Sequence, residues 1–183
     1  MPLSFKEKSL DILYVNELPL AIGQHDLSIL SKNAHKNQRQ RSRLCVHVDE
    51  SCNLHEMFMY YKKAVYVRPH KQESKTVSYH LISGHVCVCL FDDDGTLSDV
   101  IEMKEFGSGL PFYFRAPSNI YRSMIVLSEE ILFHEVTQGP YIHEETRYAP
   151  WAPAEQDSHA EMYRNQLMEK VASTLKRSSY INI

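Results

Sequence analysis

Hydrophobic and polar positions along this chain change period near residue 64. From Ala64 onward apolar residues recur every second position in short runs separated by turn residues, which predicts strands near 64–69, 76–83, 85–92, 96–103, 111–115, 120–128 and 130–137. Asp92-Asp93-Asp94-Gly95 fits a hairpin turn between two of them, because Asp and Gly tolerate positive φ. Before residue 64 the pattern is mixed. Ile12–Val15 and Leu18–Ile22 suit edge strands or an arm, and Leu27, Ile29, Leu30 and Ala34 follow helical spacing behind a capping Asp26. A strand over Leu44–Val48 comes next. Leu54, Met57, Phe58 and Tyr61 at helical spacing then predict a short amphipathic helix. Beyond Pro153, Tyr163, Leu167, Met168, Val171 and Leu175 mark one face of a C-terminal helix starting near Asp157 or Ser158.

Many short antiparallel strands without long intervening helices predict a mainly β protein, a barrel or double-sheet jelly roll. At 183 residues one well-buried domain is expected. Its parts are an N-terminal arm with short helices over 1–62, the barrel over 63–141 and a C-terminal extension with its helix over 142–183.

Composition narrows the function classes. A net charge of -3 gives no electrostatic footprint for nucleic acid. The longest apolar runs, such as Val86–Phe91, are far short of a membrane span, and no basic segment leads an apolar signal core, so no membrane partner and a cytoplasmic location are expected. Cys87 and Cys89 alternate on one strand and face one side, without the spacing of a zinc site, so the four cysteines read as buried reduced thiols. The basic run Arg39-Gln40-Arg41-Ser42-Arg43 reads as a solvated face, with contact to an anion as the alternative.

Several stretches carry a resemblance. Arg41-Ser42-Arg43-Leu44 with His47, Leu54-His55-Glu56-Met57, Tyr66-Val67-Arg68-Pro69-His70-Lys71, Phe91 to Gly95, Phe112-Tyr113-Phe114-Arg115, His134-Glu135, Gly139-Pro140-Tyr141 and Tyr148 to Pro153 stand in an order that resembles the WbuC-type cupins. The resemblance spans roughly Ala34 to Pro153. It implies a cupin double-stranded β-helix, a link to surface polysaccharide metabolism and a homodimer.

It also implies a metal site, which this sequence alters. In the cupin signature a His-x-His pair is followed, after four residues, by a glutamate and seven positions later by a glycine; the frame falls on His70, Gln72, Val77 and Gly84. The family's last histidine falls on Arg122. Gln72 offers a neutral amide, Val77 nothing, and Arg122 a permanent cation. Only His70 remains a ligand, so no metal or other cofactor is expected. Strand parity sends Tyr79 inward with position 77 and His80 outward. Of the neighbours His134 and Glu135, the family fit places Glu135 inside. His55, His80 and His134 read as structural or exposed.

The expected cavity lining is Arg68, His70, Gln72, Tyr79, Tyr113, Arg115, Arg122 and Glu135. Guanidinium forks suit carboxylate or phosphate, which points to a small anionic sugar as ligand. An alternative is that Arg122 closes the cavity by pairing with Glu135 or another acid, leaving a pocket with no ligand. A second function class is an enzyme, either metal-dependent or a sugar isomerase or epimerase, with His70 or Tyr79 as acid or base and Arg122 steadying negative charge.

Overall fold

The computed structural model describes residues 3–181. Twelve strands form two sheets, with one helix on the outer side of each. The elements are β1 (Phe5–Ser9), β2 (Ile12–Val15), α1 (Ser28–Lys36), β3 (Arg41–Cys45), β4 (Leu54–Lys62), β5 (His70–Gln72), β6 (Val77–Ser83), β7 (His85–Phe91), β8 (Leu97–Lys104), β9 (Tyr113–Ala116), β10 (Tyr121–Val126), β11 (Glu130–Gln138), β12 (Thr146–Tyr148) and α2 (Ala160–Ile181). One sheet runs β1-β2-β3-β4-β11-β6-β9 and the other β12-β5-β10-β7-β8. Every pairing is antiparallel except β2 with β3. The predicted double-sheet jelly roll with a C-terminal helix is therefore the fold.

Alternation along the strands divides the apolar residues among three layers. Val86, Val88, Met124 and Val126 of the smaller sheet meet Met57, Met59, Tyr79, Leu81, Ile131 and Phe133 of the larger one between the sheets. The opposite parity of β7 and β10, which is Cys87, Cys89, Phe91, Tyr121 and Ile125, packs under Leu167 and Val171 of α2. On the far side Leu13, Val15, Leu44 and Tyr60 pack beneath Leu30 and Ala34 of α1. All four cysteines are free thiols; Cys45, Cys87 and Cys89 are buried and Cys52 is partly so.

The N-terminal third differs most from the pattern reading. Residues 54–62 form a nine-residue strand and not a helix. β4 lies between β3 and β11, with α1 covering its outer side, so it buries residues on both faces and presents a nearly continuous apolar run. Such a run carries no period-two signal. The strand expected at 44–48 sits earlier, at Arg41–Cys45, and that at 64–69 is extended chain leading into β5. Leu18–Ile22 is not a strand. Asp26 does not cap α1; its carboxylate accepts from the Gly23 amide, 2.8 Å away, and Leu27 occupies the capping position. In α2, Met168 is exposed, while Leu167 and Val171 carry the buried face.

The β7–β8 hairpin forms as expected, with Gly95 at φ 91° and its amide donating to the Asp92 carbonyl at 3.0 Å. A Cβ here would meet the Trp151 ring at 2.8 Å, so this turn also seats the indole of the segment that crosses the barrel mouth.

Candidate functional site

The space between the sheets is apolar at one end and polar at the other, where a cavity of about 310 Å3 opens. β10 supplies Arg122, only 2% exposed, and β5 supplies His70 and Gln72, which alternate onto one face. Arg122 stands directly opposite His70 in the β10–β5 register. From the larger sheet come Tyr79 on β6 and Glu135 on β11, themselves cross-strand partners. Arg68, just before β5, completes the inner wall, while Tyr141, Thr146 and Tyr148 form the lip.

Arg122 connects the two sheets. Its Nε donates to the Tyr79 hydroxyl at 2.9 Å and its Nη2 to Gln72 Oε1 at 3.4 Å. Nη1 is buried without a partner. Arg68 reaches the Ala149 carbonyl through Nη2 at 3.1 Å and lies over the Tyr148 ring at 5.1 Å, yet its Nε is also buried and unpartnered. Among the described residues Arg122 and Glu135 form no ion pair, so Arg122 does not close the cavity in that way.

The basic run preceding β4 is not simply a solvated face. On β3, Arg41 and Arg43 sit two apart and share the inward side with Cys45, opposite Tyr61, Met59 and Met57. Arg41 and Arg39 clasp Glu155 at 3.0 Å each, and Arg39 also holds Asp11 at 2.8 Å, all four groups lining the cavity mouth. Arg43 lies deeper. Its Nε is buried, and its side chain makes no hydrogen bond or ion pair among the described residues. The period of two in Arg39, Arg41 and Arg43 was the available signal for this placement; it goes unread when the run is taken as surface charge.

Burial governs the titrations. It pushes the His70 imidazole down to about 4, with the Arg122 guanidinium adding to the effect, so the ring is neutral at pH 7. Its Nδ1 lies 2.9 Å from the Arg68 carbonyl, which requires a proton on that nitrogen and leaves Nε2 as an acceptor. Burial pushes the Glu135 carboxyl up, against the opposing pull of Arg122 and Arg43. It likewise raises the Tyr79 phenol, with Arg122 opposing.

Of the expected lining, Arg68, His70, Gln72, Tyr79, Arg122 and Glu135 come together. Tyr113 and Arg115 do not: on β9 the inward parity belongs to Phe114 and Ala116, leaving Tyr113 51% exposed and Arg115 outside. His80 is exposed, and His134 sits on the outer side at 3.6 Å from Glu56. His55 is on β4 and not on a helix, buried and stacked on His47 with ring centroids 4.0 Å apart.

The donor set does not fit a cupin metal. At the four signature positions stand one imidazole, one amide, Val77 in the apolar core, and Arg122, whose fixed positive charge faces His70 across the strands. Among the described residues no three His, Cys, Asp or Glu side chains are grouped to hold an ion.

Two facing antiparallel sheets closing around a cavity lined from β5, β6, β10 and β11 define a cupin-type barrel. A family described as a domain of unknown function (DUF6016) matches residues 22–103, a span that holds Arg43, Arg68, His70, Gln72 and Tyr79 but neither Arg122 nor Glu135. Among curated protein sequences, none matches the chain. Similar solved structures include the Schizosaccharomyces pombe Cnp3 cupin domain, at 14% identity over 55% of this chain and 66% of that one, with a TM-score of 0.43. Bacillus subtilis oxalate decarboxylase is 20% identical over 59% of this chain and 27% of its own, at 0.46. The Staphylococcus aureus capsular polysaccharide assembling protein CapF is 12% identical over 54% and 27%, at 0.44. The chain thus spans about two thirds of the first of these and about a quarter of the other two.

With no hydrogen bond or ion pair to its side chain among the described residues, Arg43 should not be needed for the fold. Arg43→Met, which removes a half-buried charge without breaking a hydrogen bond, is expected to leave urea unfolding unchanged or to stabilise by up to about 2 kcal/mol. A loss of about 3 kcal/mol or more would show that Arg43 is structural.

Proposed function

We propose that this protein binds a small anionic sugar or related metabolite in the barrel cavity, through its arginines and without a metal ion. The observation that carries the reading is the set of three guanidinium side chains, Arg43, Arg68 and Arg122, which line one cavity and form no ion pair among the described residues. A buried cation without a counter-charge is costly, and an acceptor-rich anion would supply one. Tyr148, half exposed at the lip, adds a ring suited to a sugar. The resemblance to WbuC-type cupins supports a role in surface polysaccharide metabolism.

Saturating anionic sugars, both uronates and sugar phosphates, should raise the melting temperature by about 5–10 °C at one hundred times Kd, and neutral sugars should not. Arg122→Gln should abolish the shift, and chelator treatment should leave it intact. Absence of a shift with every anionic sugar would refute the reading.

A second reading, a metal-free isomerase or epimerase, is favoured by His70. Its neutral ring keeps Nε2 as an acceptor across from Arg122. His70 Nε2 would take the proton from the carbon beside a sugar carbonyl, the C–H electron pair forming a carbon–carbon double bond as the carbonyl π pair moves to oxygen, where Arg122 steadies the enolate before the proton returns. Solvent deuterium should then enter a bound sugar, and His70→Ala should stop it. No incorporation leaves a binding protein, whereas stoichiometric divalent metal lost in His70→Ala would restore the metalloenzyme class.

We also infer a homodimer. Within the chain α2 already covers the smaller sheet, which leaves β1 and β9 as the edges of the larger one, and Phe106 next to β9 is 78% exposed. A monomer in sedimentation equilibrium at micromolar concentration would disprove it.

A further inference from the structure

We propose that the cavity selects a dianion, a sugar-sized molecule carrying two negative charges either as a phosphate monoester or as a pair of carboxylates. The proposal rests on the reading that the cavity binds an anion, and it adds the charge the ligand must carry.

The argument is a count of charges by depth. At the mouth, Arg39 and Arg41 are matched by Asp11 and Glu155 through ion pairs of 2.8–3.0 Å, two cations against two anions. Inside, Arg43, Arg68 and Arg122 face a single carboxyl, Glu135, and none of the three forms an ion pair among the described residues. With Glu135 ionised the interior carries a surplus of two positive charges, and with it protonated the surplus is larger. A buried cation without a counter-charge is costly, and a ligand bearing one charge would leave at least one guanidinium uncompensated.

Geometry agrees with the count. The three side chains come from β3, from the segment before β5, and from β10, so they reach the cavity from both sheets and not from one side. Three guanidinium groups entering from separate strands suit the three free oxygens of a phosphate monoester, or two carboxylates at opposite ends of a short chain. At about 310 Å3 the cavity is at the small end of the range for ligand sites, enough for one sugar-sized molecule and too small for a sugar nucleotide.

Arg43 is the residue that turns an anion site into a dianion site. Arg122 is tied to Tyr79 and Gln72, and Arg68 to Ala149, but the Arg43 side chain makes no hydrogen bond or ion pair among the described residues. It contributes charge and an uncommitted donor, and nothing else in the interior replaces it.

The test is calorimetric titration of the full chain at pH 7.5 with glucose 6-phosphate, D-glucarate, inorganic phosphate and D-gluconate. At this pH the phosphate ester is mostly dianionic, its second pKa lying near ~6. At least one dianion should bind about tenfold or more tighter than singly charged gluconate, and which one binds separates phosphate from dicarboxylate recognition. Arg43→Gln should reduce that dianion to the level of gluconate, and Arg43→Lys, which retains the charge, should keep most of the preference. Equal affinity for gluconate and the dianions, or a preference that survives Arg43→Gln, overturns the dianion proposal while leaving the anion cavity standing. Failure of all four probes to bind overturns both.

Discussion

The contact on which this structure turns is the one between Arg122 and Tyr79. A guanidinium only 2% exposed donates from β10 to a phenol on β6, joining the two sheets where their shared core changes from apolar to polar. Below it the sheets meet through Val88, Met124, Leu81 and Phe133, and the space is filled. At its level a filled core is excluded, because a charge cannot be packed against hydrocarbon without partners. The cavity is a consequence of placing that charge there.

Much else follows from this placement. Burial lowers the proton affinity of His70 and this cation adds to the effect, so the ring stays neutral and presents a lone pair. Glu135 feels Arg122 and Arg43 but is also buried, and burial is the stronger influence, so its carboxyl is pushed up. The interior is thereby left positive even though the whole chain carries a charge of -3. Net charge had argued only against polyanions; it said nothing about a closed space where three of the chain's basic residues converge.

β6 and β11 were readable because each buries one face toward its neighbour sheet and the other less completely, which preserves alternation in Val77–Ser83 and Glu130–Gln138. β4 was not, since helix α1 buries its second face and removes the alternation. The same loss hid part of the site. With 54–62 taken as a helix, β3 had no partner on its inner side and the inward face of Arg41 and Arg43 could not be inferred. Tyr113 and Arg115 failed for a different reason: β9 is a four-residue strand, too short for its parity to be fixed by pattern, and Phe114 fits the inner face better. Tyr79 could be placed because a strand frame sets which side chains share a face, whatever their chemistry, whereas His70, Arg122 and Glu135 were placed by the resemblance to the family's pattern.

The four signature positions can be compared with those of a metal-holding barrel. A divalent ion in such a barrel gives the site a localised positive charge with open positions for oxygen donors. Arg122, directly across from His70, puts a fixed positive charge in the same register, and its planar fork offers hydrogen bonds in set directions where a metal would offer coordination. The two are electrostatically similar and chemically unlike. A guanidinium holds and orients an anion but does not exchange ligands or polarise a bound water to hydroxide. Val77 follows from the same exchange: with no ion to coordinate, a carboxylate at that position would face the apolar cluster without a partner, and a β-branched residue packed against Tyr79 and Ala116 serves the strand better. The residues at these positions are therefore mutually consistent: Val77 fills the apolar cluster, and the positive charge of the site is built into β10.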